Sequence, residues 1–331
     1  MNHSISYNET KYFSKFIIDY LDSDCKLNPF VSHFPKIENF SKQILDKNKH
    51  QVDRVILSNV LKSQNKHLKL SDSSNKNIDL LALDTTFTVT TGHQICLFTG
   101  PLYFIYKIIS TINLCEQLTL KYSEYNFVPI FWMATEDHDL EEVSHINFFG
   151  KNIRWDTNQE GPVGRMHLEG IKSAILDLKL AIGSHKNSEK LISLFESAYL
   201  EHSNLSDATR YLINNLFGRY GIVIIDPDNK YLKKQFVSQM KTDILRNGFV
   251  DPIKKCSKDF SNHYKVQAFV RDTNFFKLSD NERVLVSGGI SEEMIDGHPE
   301  MFSPNVLLRP LYQEVILPNI AYIGGSSEIA Y

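Results

Sequence analysis

The sequence predicts an α/β fold whose parallel sheet is built in two stretches, with an α+β segment inserted between them. Three observations carry this. Phe87–Thr90 is a β-branched and aromatic run that leads through the loop TTGHQICLFTGP into a helix. VPIFWMA, residues 128–134, is hydrophobic almost without a break, the pattern of a strand covered on both faces. After a less regular region, GIVIIDPD at 221–228 stands between two further helices, so β and α elements alternate again. A chain of 331 residues has room for about two structural units. At 42% hydrophobic residues it can bury a core without disulfides or a structural metal.

Each element is justified locally. Residues 1–79 are polar and helical in pattern and read as an N-terminal extension. VDRVILSNVLKSQ sets Val52, Val55, Ile56, Val60 and Leu61 at helix-like spacing. SDSSNKN at 71–77 has the composition of a linker. Residues 80–147 form the first half of the core. Pro101 opens a helix there, because its missing N–H costs nothing in a first turn, with Thr99 or Gly100 as the cap. Ile105, Ile108, Ile109, Ile112, Cys115 and Leu118 follow as one apolar stripe facing a sheet.

Residues 148–205 are the connecting insertion. GKNIRWDTNQEGPVGRMHLEG suggests short antiparallel strands, and Leu191, Leu194, Phe195 and Ala198 mark an amphipathic helix. Residues 206–331 are the second half of the core. Ser206 is the expected cap of a helix reaching Arg219, and LKKQFVSQMKTDILRNG at 232–248 is a second helix. Phe275–Leu278 and Val284–Val286 flank SDNE as a hairpin. A last strand ends in Gly324-Gly325, with Ser326 placed to cap a helix.

Composition excludes several classes. With 36 basic and 39 acidic residues the formal charge is −3, so the basic excess of a nucleic-acid binder is missing. No apolar run approaches the roughly 20 residues of a membrane helix. The start MNHSISYNET lacks the basic and apolar regions of a signal peptide. Cys25, Cys96, Cys115 and Cys256 are far apart with no C-x-x-C pair, which argues against a zinc ribbon or disulfide framework and fits a reducing cytoplasm.

Chemistry concentrates where strands end, which is where open α/β sheets bind ligands. The first such place is Gly92, His93 and Gln94, with Thr99 and Gly100 ahead of the helix. It is either an anion-binding turn or an ordinary tight turn with a capped helix. The second is Glu136, Asp137, His138 and Asp139, followed by Glu141, Glu142 and His145. Histidine beside carboxylates suits general acid–base work, a metal or a substrate amine, and carboxylates also favour a first helical turn. The third is Arg309 and Gln313, leading to Gly324, Gly325, Ser326 and Glu328. Arg309 can fork onto a carboxylate or phosphate, or pair with a nearby glutamate. Asp226-Pro227-Asp228 reads as an Asx turn more than a ribose contact, and Ser287-Gly288-Gly289 as a turn. Cys96 reads as a packed thiol, since only His93 lies near it in sequence to activate it, and Cys115 belongs to the helix stripe. No metal site is predicted.

Taken together, TTGHQICLFTGPLYFIYK, VPIFWMATEDHDLEEVSH and SPNVLLRPLYQEVILPNIAYIGGSSEIAY closely resemble the BshC family, the cysteine-adding enzymes of bacillithiol biosynthesis. DPD after GIVII, and VRDTNFFKL, agree in order and position. The resemblance runs from Leu80 to Tyr331. It implies a Rossmann-like core related to class I aminoacyl-tRNA synthetases and nucleotidyltransferases, interrupted by connecting segments. It implies a ligase that joins the carboxyl of cysteine to the amine of glucosaminyl-malate. Such a bond needs carboxyl activation, for which ATP or another adenine nucleotide is the natural agent. No HIGH or KMSKS signature accompanies it.

In this reading the backbone around Gly92–Pro101 and Gly324–Ser326 holds phosphates or malyl carboxylates, and Arg309 neutralises anionic charge. Asp137 and His138 orient or deprotonate the amine. The resemblance also implies a homodimer formed through a C-terminal coiled coil that this sequence does not contain. The chain is therefore expected to be a fragment, with an exposed apolar edge near Ile329. The rival expectations are a nucleotide-binding scaffold without catalysis and a metal-dependent hydrolase using Glu136–His145.

Overall fold

The computed structural model describes residues 4–330. Its strands are β1 (Thr86–His93), β2 (Asn126–Met133), β3 (His145–Phe148), β4 (Lys151–Arg154), β5 (Val223–Ile225), β6 (Phe275–Leu278), β7 (Arg283–Leu285), β8 (Phe302–Pro304) and β9 (Asn319–Ile323). The central sheet has four strands in the order β5-β2-β1-β9, and every neighbouring pair is parallel. From β1 the chain crosses to β2 and β5 on one side, then returns with β9 on the other. The strand order therefore reverses at β1, and a crevice opens between the carboxyl ends of β1 and β9.

Helices cover both faces, which is why β2 is hydrophobic throughout. Alternate side chains go to opposite faces of a strand. Phe131 and Met133 join Phe104, Ile108 and Ile112 and the inserted segment on one face. Val128, Ile130 and Trp132 join Leu57, Leu61, Ile78, Phe236, Met240 and Tyr312 on the other. The crossover helix Leu102–Lys121 buries Phe104, Ile108, Ile112, Cys115 and Leu118, along with Lys107 and Thr111. Ile109, expected in that stripe, is 39% exposed. The stripe is rotated by the burial of Lys107 and Thr111, so polarity alone misplaces it.

Several expectations change. Residues 1–79 are more than an outlying extension, because Leu57 and Leu61 of the helix Arg54–Asn65 and Ile78 of Asp72–Leu80 belong to the sheet's core. SDSSNKN is no linker but the start of that second helix, capped by Ser71, whose Oγ accepts the Ser74 N–H at 3.0 Å. Serine and asparagine suit caps as well as loops, so composition misled. The helix Leu205–Phe217 is capped by Asn204 and not by Ser206, whose hydroxyl donates to Asp226 at 2.6 Å.

The helix expected over 232–248 is two, Lys230–Lys234 and Val237–Arg246, broken where Phe236 turns fully into the core. The strand at 221–228 shortens to β5. In the insertion only β3 and β4 form a ladder, and Trp155 beyond them is buried with its indole N–H donating to Glu169 O at 2.8 Å. The predicted hairpin exists as β6–β7, and β8 adds to the other edge of β6. Near the last described residues, Ile329 is half-buried against the cluster of Phe16, Ile17, Leu27 and Tyr264, where an exposed apolar edge was expected. No helix among the described residues is long and apolar enough to cross a membrane.

Candidate functional site

The crevice at the strand reversal is a cleft of about 1270 Å³. Its walls come from the ends of β1, β2 and β9, the β6–β7–β8 sheet, and the segment Gln267–Arg271 before β6. Gly92 ends β1 against the opposite wall: a Cβ there would lie 3.0 Å from Tyr322 Oη. Lys107, buried one helical turn below, donates to Gly92 O and ion-pairs with Glu328 at 2.7 Å. Burial works to raise the Glu328 carboxyl, but hydrogen bonds from Lys107, Gly325 N–H and Tyr322 outweigh it, so the group titrates below its ordinary range. Burial lowers the Lys107 ammonium despite Glu328.

His93 is 8% exposed and lies in the same wall. Its Nδ1 is 2.7 Å from Gln94 O, so Nδ1 carries the hydrogen; Nε2 is buried with no hydrogen-bond partner among the described residues. Burial pushes this imidazole toward its neutral form. Gln94 turns its amide Nε2 to Asp137 Oδ2 at 2.9 Å and also to Glu142 Oε2, so one neutral donor bridges two carboxylates of the cleft.

Glu136 enters the cleft from the end of β2 but is tied down behind it. Its carboxylate meets Lys233 Nζ at 2.5 Å, and Lys233, fully buried, also reaches Asp228 at 3.1 Å. Arg165 clamps Asp228 with two nitrogens at 2.8 and 3.1 Å. Burial raises Glu136 against the pull of Lys233. For Asp228, burial is outweighed by Lys233 and Arg165, which hold it below the usual carboxylate range.

Arg309, at the start of the helix Arg309–Ile316, lies over Trp132 at 5.6 Å and Tyr322 at 4.9 Å. Its Nη1 donates to Gln313 Oε1 at 3.1 Å.

The structure thus brings Gly92, His93, Gln94, Glu136, Asp137, Arg309, Gly324, Gly325, Ser326 and Glu328 to one cleft. It does not place Thr99, Gly100, His138, Asp139 or Gln313 on its walls. Thr99 and Gly100 make a strained turn at φ +73° and +63°, and the helix cap is Pro101. Gly100 backs onto Cys96 so closely that a Cβ would sit 2.6 Å from Cys96 Cβ. Asp139 caps the helix Leu140–Val143 by accepting the Glu142 N–H at 3.1 Å. His138 is half-exposed, and Arg283 donates to its Nδ1 at 3.0 Å. Gln313 acts through Arg309.

At Gly324–Ser326, where an anion cradle was expected, one donor is already engaged. The Gly325 N–H donates to Glu328 Oε2 at 2.6 Å, so a carboxylate of the chain takes that donor. Gly325, not Ser326, is the cap of a four-residue helix. At the other turn the Phe98 N–H goes to Tyr199 Oη and the Gly100 N–H to Leu97 O. Three N–H groups of the two turns are thus taken by the chain itself. Asp226 accepts the Asp228 N–H at 3.0 Å, the Asx turn expected of this segment. Cys96 is a packed thiol, pushed up to about 12 by burial and by Glu142. Among the described residues no group of three or more His, Cys, Asp or Glu is arranged to hold a metal ion.

Comparison with known proteins follows the same lines. The model of the family "Bacillithiol biosynthesis BshC, N-terminal Rossmann-like domain" matches residues 1–331. The chain belongs to the BshC family. Relatives named "Putative cysteine ligase BshC" include those of Flavobacterium johnsoniae and Flavobacterium psychrophilum. Each is 48% identical over 99% of this chain and 65% of its own length. One from Staphylococcus aureus is 29% identical over 83% of this chain and 56% of the relative. The chain spans 65% of the length of the two Flavobacterium relatives it matches. The four-stranded parallel sheet is the Rossmann-like core that the family description names.

Sequence reasoning missed some cleft residues of this BshC chain. Lys107 was hidden inside an apolar stripe, though a lone lysine in YFIYKIISTI was a signal. Arg283 lay in a hairpin read only as a fold element, and Trp132 was counted as core.

Proposed function

We propose that this chain carries the Rossmann-like part of a ligase acting in the last step of bacillithiol biosynthesis. It joins the carboxyl of cysteine to the amine of glucosaminyl-malate as an amide. The single observation that carries the reading is the convergence of three distant segments on one polar cleft, in a chain whose relatives are named cysteine ligases. A carboxylate pair bridged by Gln94 offers an environment for an amine, and Arg309 offers one for an anion.

The amine must be neutral to attack, so one proton leaves it before the C–N bond forms. Asp137 is the group of the expected Asp137–His138 pair that lies on the cleft, and we assign it the orienting contact. His138 accepts from Arg283 at Nδ1, and the same nitrogen lies 3.6 Å from Asp137 Oδ1, so His138 stands behind Asp137. Activation of the cysteine carboxyl by ATP belongs to this reading, but no phosphate position is assigned and no step is routed through it. Assembly into a homodimer and residence in the cytoplasm belong to it as well.

Mass spectrometry of thiols in a deletion strain tests the reading. Complementation with the full-length gene restores bacillithiol, and Asp137→Asn in that gene leaves glucosaminyl-malate accumulated. Normal bacillithiol in the deletion strain, or in the Asp137→Asn strain, overturns the reaction or the residue respectively.

A further inference from the structure

We propose that Arg309 is a preformed carboxylate anchor, made to hold a substrate's carboxylate. The inference rests on the ligase reading only for naming the substrates.

Three observations carry it. First, the guanidinium lies over two aromatic rings, 5.6 Å from the centre of Trp132 and 4.9 Å from that of Tyr322, with Trp132 itself 2% exposed. Two cation–π contacts reduce the freedom that a surface arginine must lose on binding. Second, Gln313 is 2% exposed and takes Nη1 at 3.1 Å, which sets the roll of the fork about its own axis. Third, no carboxylate of the described residues lies within ion-pair distance of Arg309. Of the other cations here, Lys107 pairs with Glu328, Lys233 with Glu136 and Asp228, and Arg283 reaches Asp137 at 4.0 Å, while Arg271 also lines the cleft. A cation held rigid in a cleft and left without a counter-charge is arranged for an anion from outside.

The geometry of the fork decides which anion: two parallel N–H donors match the two oxygens of one carboxylate. Beside Arg309, Lys107 is already neutralised by Glu328, and Glu328 also takes the Gly325 N–H. That carboxylate stays ionised and repels a second dense negative charge. One planar fork with one net positive charge matches one planar carboxylate. Two substrates of the proposed reaction offer a carboxylate: the malyl group of glucosaminyl-malate carries two and cysteine carries one.

Calorimetric titration of the chain, with no turnover, tests this. The ligands are glucosaminyl-malate, its dimethyl ester, L-cysteine, L-cysteine methyl ester and ATP. The chain binds one of the two acids about 10- to 100-fold more tightly than its ester, as charged hydrogen bonds warrant. Arg309→Gln binds that acid and its ester alike. Arg309→Lys recovers only part of the preference, because an ammonium has no fork and no flat face. The acid–ester pair that shows the effect identifies which substrate is held.

Equal binding of acid and ester by the unmodified chain overturns the proposal. So does a preference that survives Arg309→Gln, or a loss confined to ATP. Melting temperatures of both variants, matched to the parent, separate lost contact from lost fold. An Arg309-dependent preference without amide formation sinks the ligase reading and leaves the anchor standing. Amide formation that ignores Arg309 does the reverse.

Discussion

At the β2–β5 corner of the sheet, Lys233 is sealed against Glu136 and Asp228, and Arg165 clamps Asp228 from outside. At the β1–β9 corner, Arg309 lies over the rings of Trp132 and Tyr322 and meets no carboxylate of the described residues. Both corners are polar strand ends feeding one cleft, and they handle charge in opposite ways. The first encloses two carboxylates and two cations in which each charge answers another, so removing any member strands the rest. The second holds its cation by ring faces and one amide, so the charge remains available. Paired burial is the mark of a structural brace, and clamped but uncompensated charge is the mark of a binding group. The Lys107–Glu328 pair stands between them, since it braces Gly92 while partly facing the cleft.

Substitutions break or sharpen this contrast. The largest effect is expected at Lys233→Met, which leaves Glu136 and Asp228 buried without their cation. Breaking a buried pair in this way costs about 3–5 kcal/mol, read as a large fall in melting temperature. Arg309→Gln, by contrast, stays within about 1 kcal/mol of the parent. An equal loss at both positions removes the distinction between brace and binding group.

Glu328→Gln comes next, at about 1–3 kcal/mol near neutral pH, because Lys107 keeps a partner but loses the opposing charge. Its sign with pH is fixed. A carboxyl held below its ordinary value of 4.5 adds stability that is present above that value and is lost as pH falls through the folded one. Melting temperature from pH 6 downward therefore drops more steeply for the parent than for Glu328→Gln. Parallel curves deny the pair its role.

Gly92→Ala is expected to cost about 1 kcal/mol, since its Cβ presses on Tyr322 Oη and the walls give by a few tenths of an ångström. Movement of Tyr322 also loosens one side of the Arg309 clamp, so binding of the anchored acid weakens in step. The smallest effect is at Cys96→Ala, within about 1 kcal/mol of the parent in melting experiments. Iodoacetamide labels Cys25 and Cys256, which are exposed, and spares Cys96 and Cys115 in the folded chain.

Much of the site was legible from sequence, and for a physical reason. Strand ends in an α/β sheet converge, so Gly92–Gln94, Glu136–Asp137 and Gly324–Glu328 announced a shared edge by their strands alone. The role of each residue was less legible. Asp139 and Glu136 sit three positions apart in one acidic run, yet one caps a short helix and the other joins a buried brace. Thr99 and Gly100 looked like an anion loop because the conformations that bind anions are also those that turn a chain tightly. The helix at 71–80 looked like a linker because capping and turning use the same side chains.

The sequence by itself determined the buried strand β2, the crossover helix, the parallel sheet and the family, since these follow from local periodicity and from motifs within a few residues. Tertiary structure alone decided which charges are spent. Lys107 meets Glu328 across 221 residues, and Arg283 meets His138 across 145. Whether a charged group serves the fold or the ligand depends on the partner that burial brings to it. That partner is set by how the strands are ordered in the sheet, which no local pattern records.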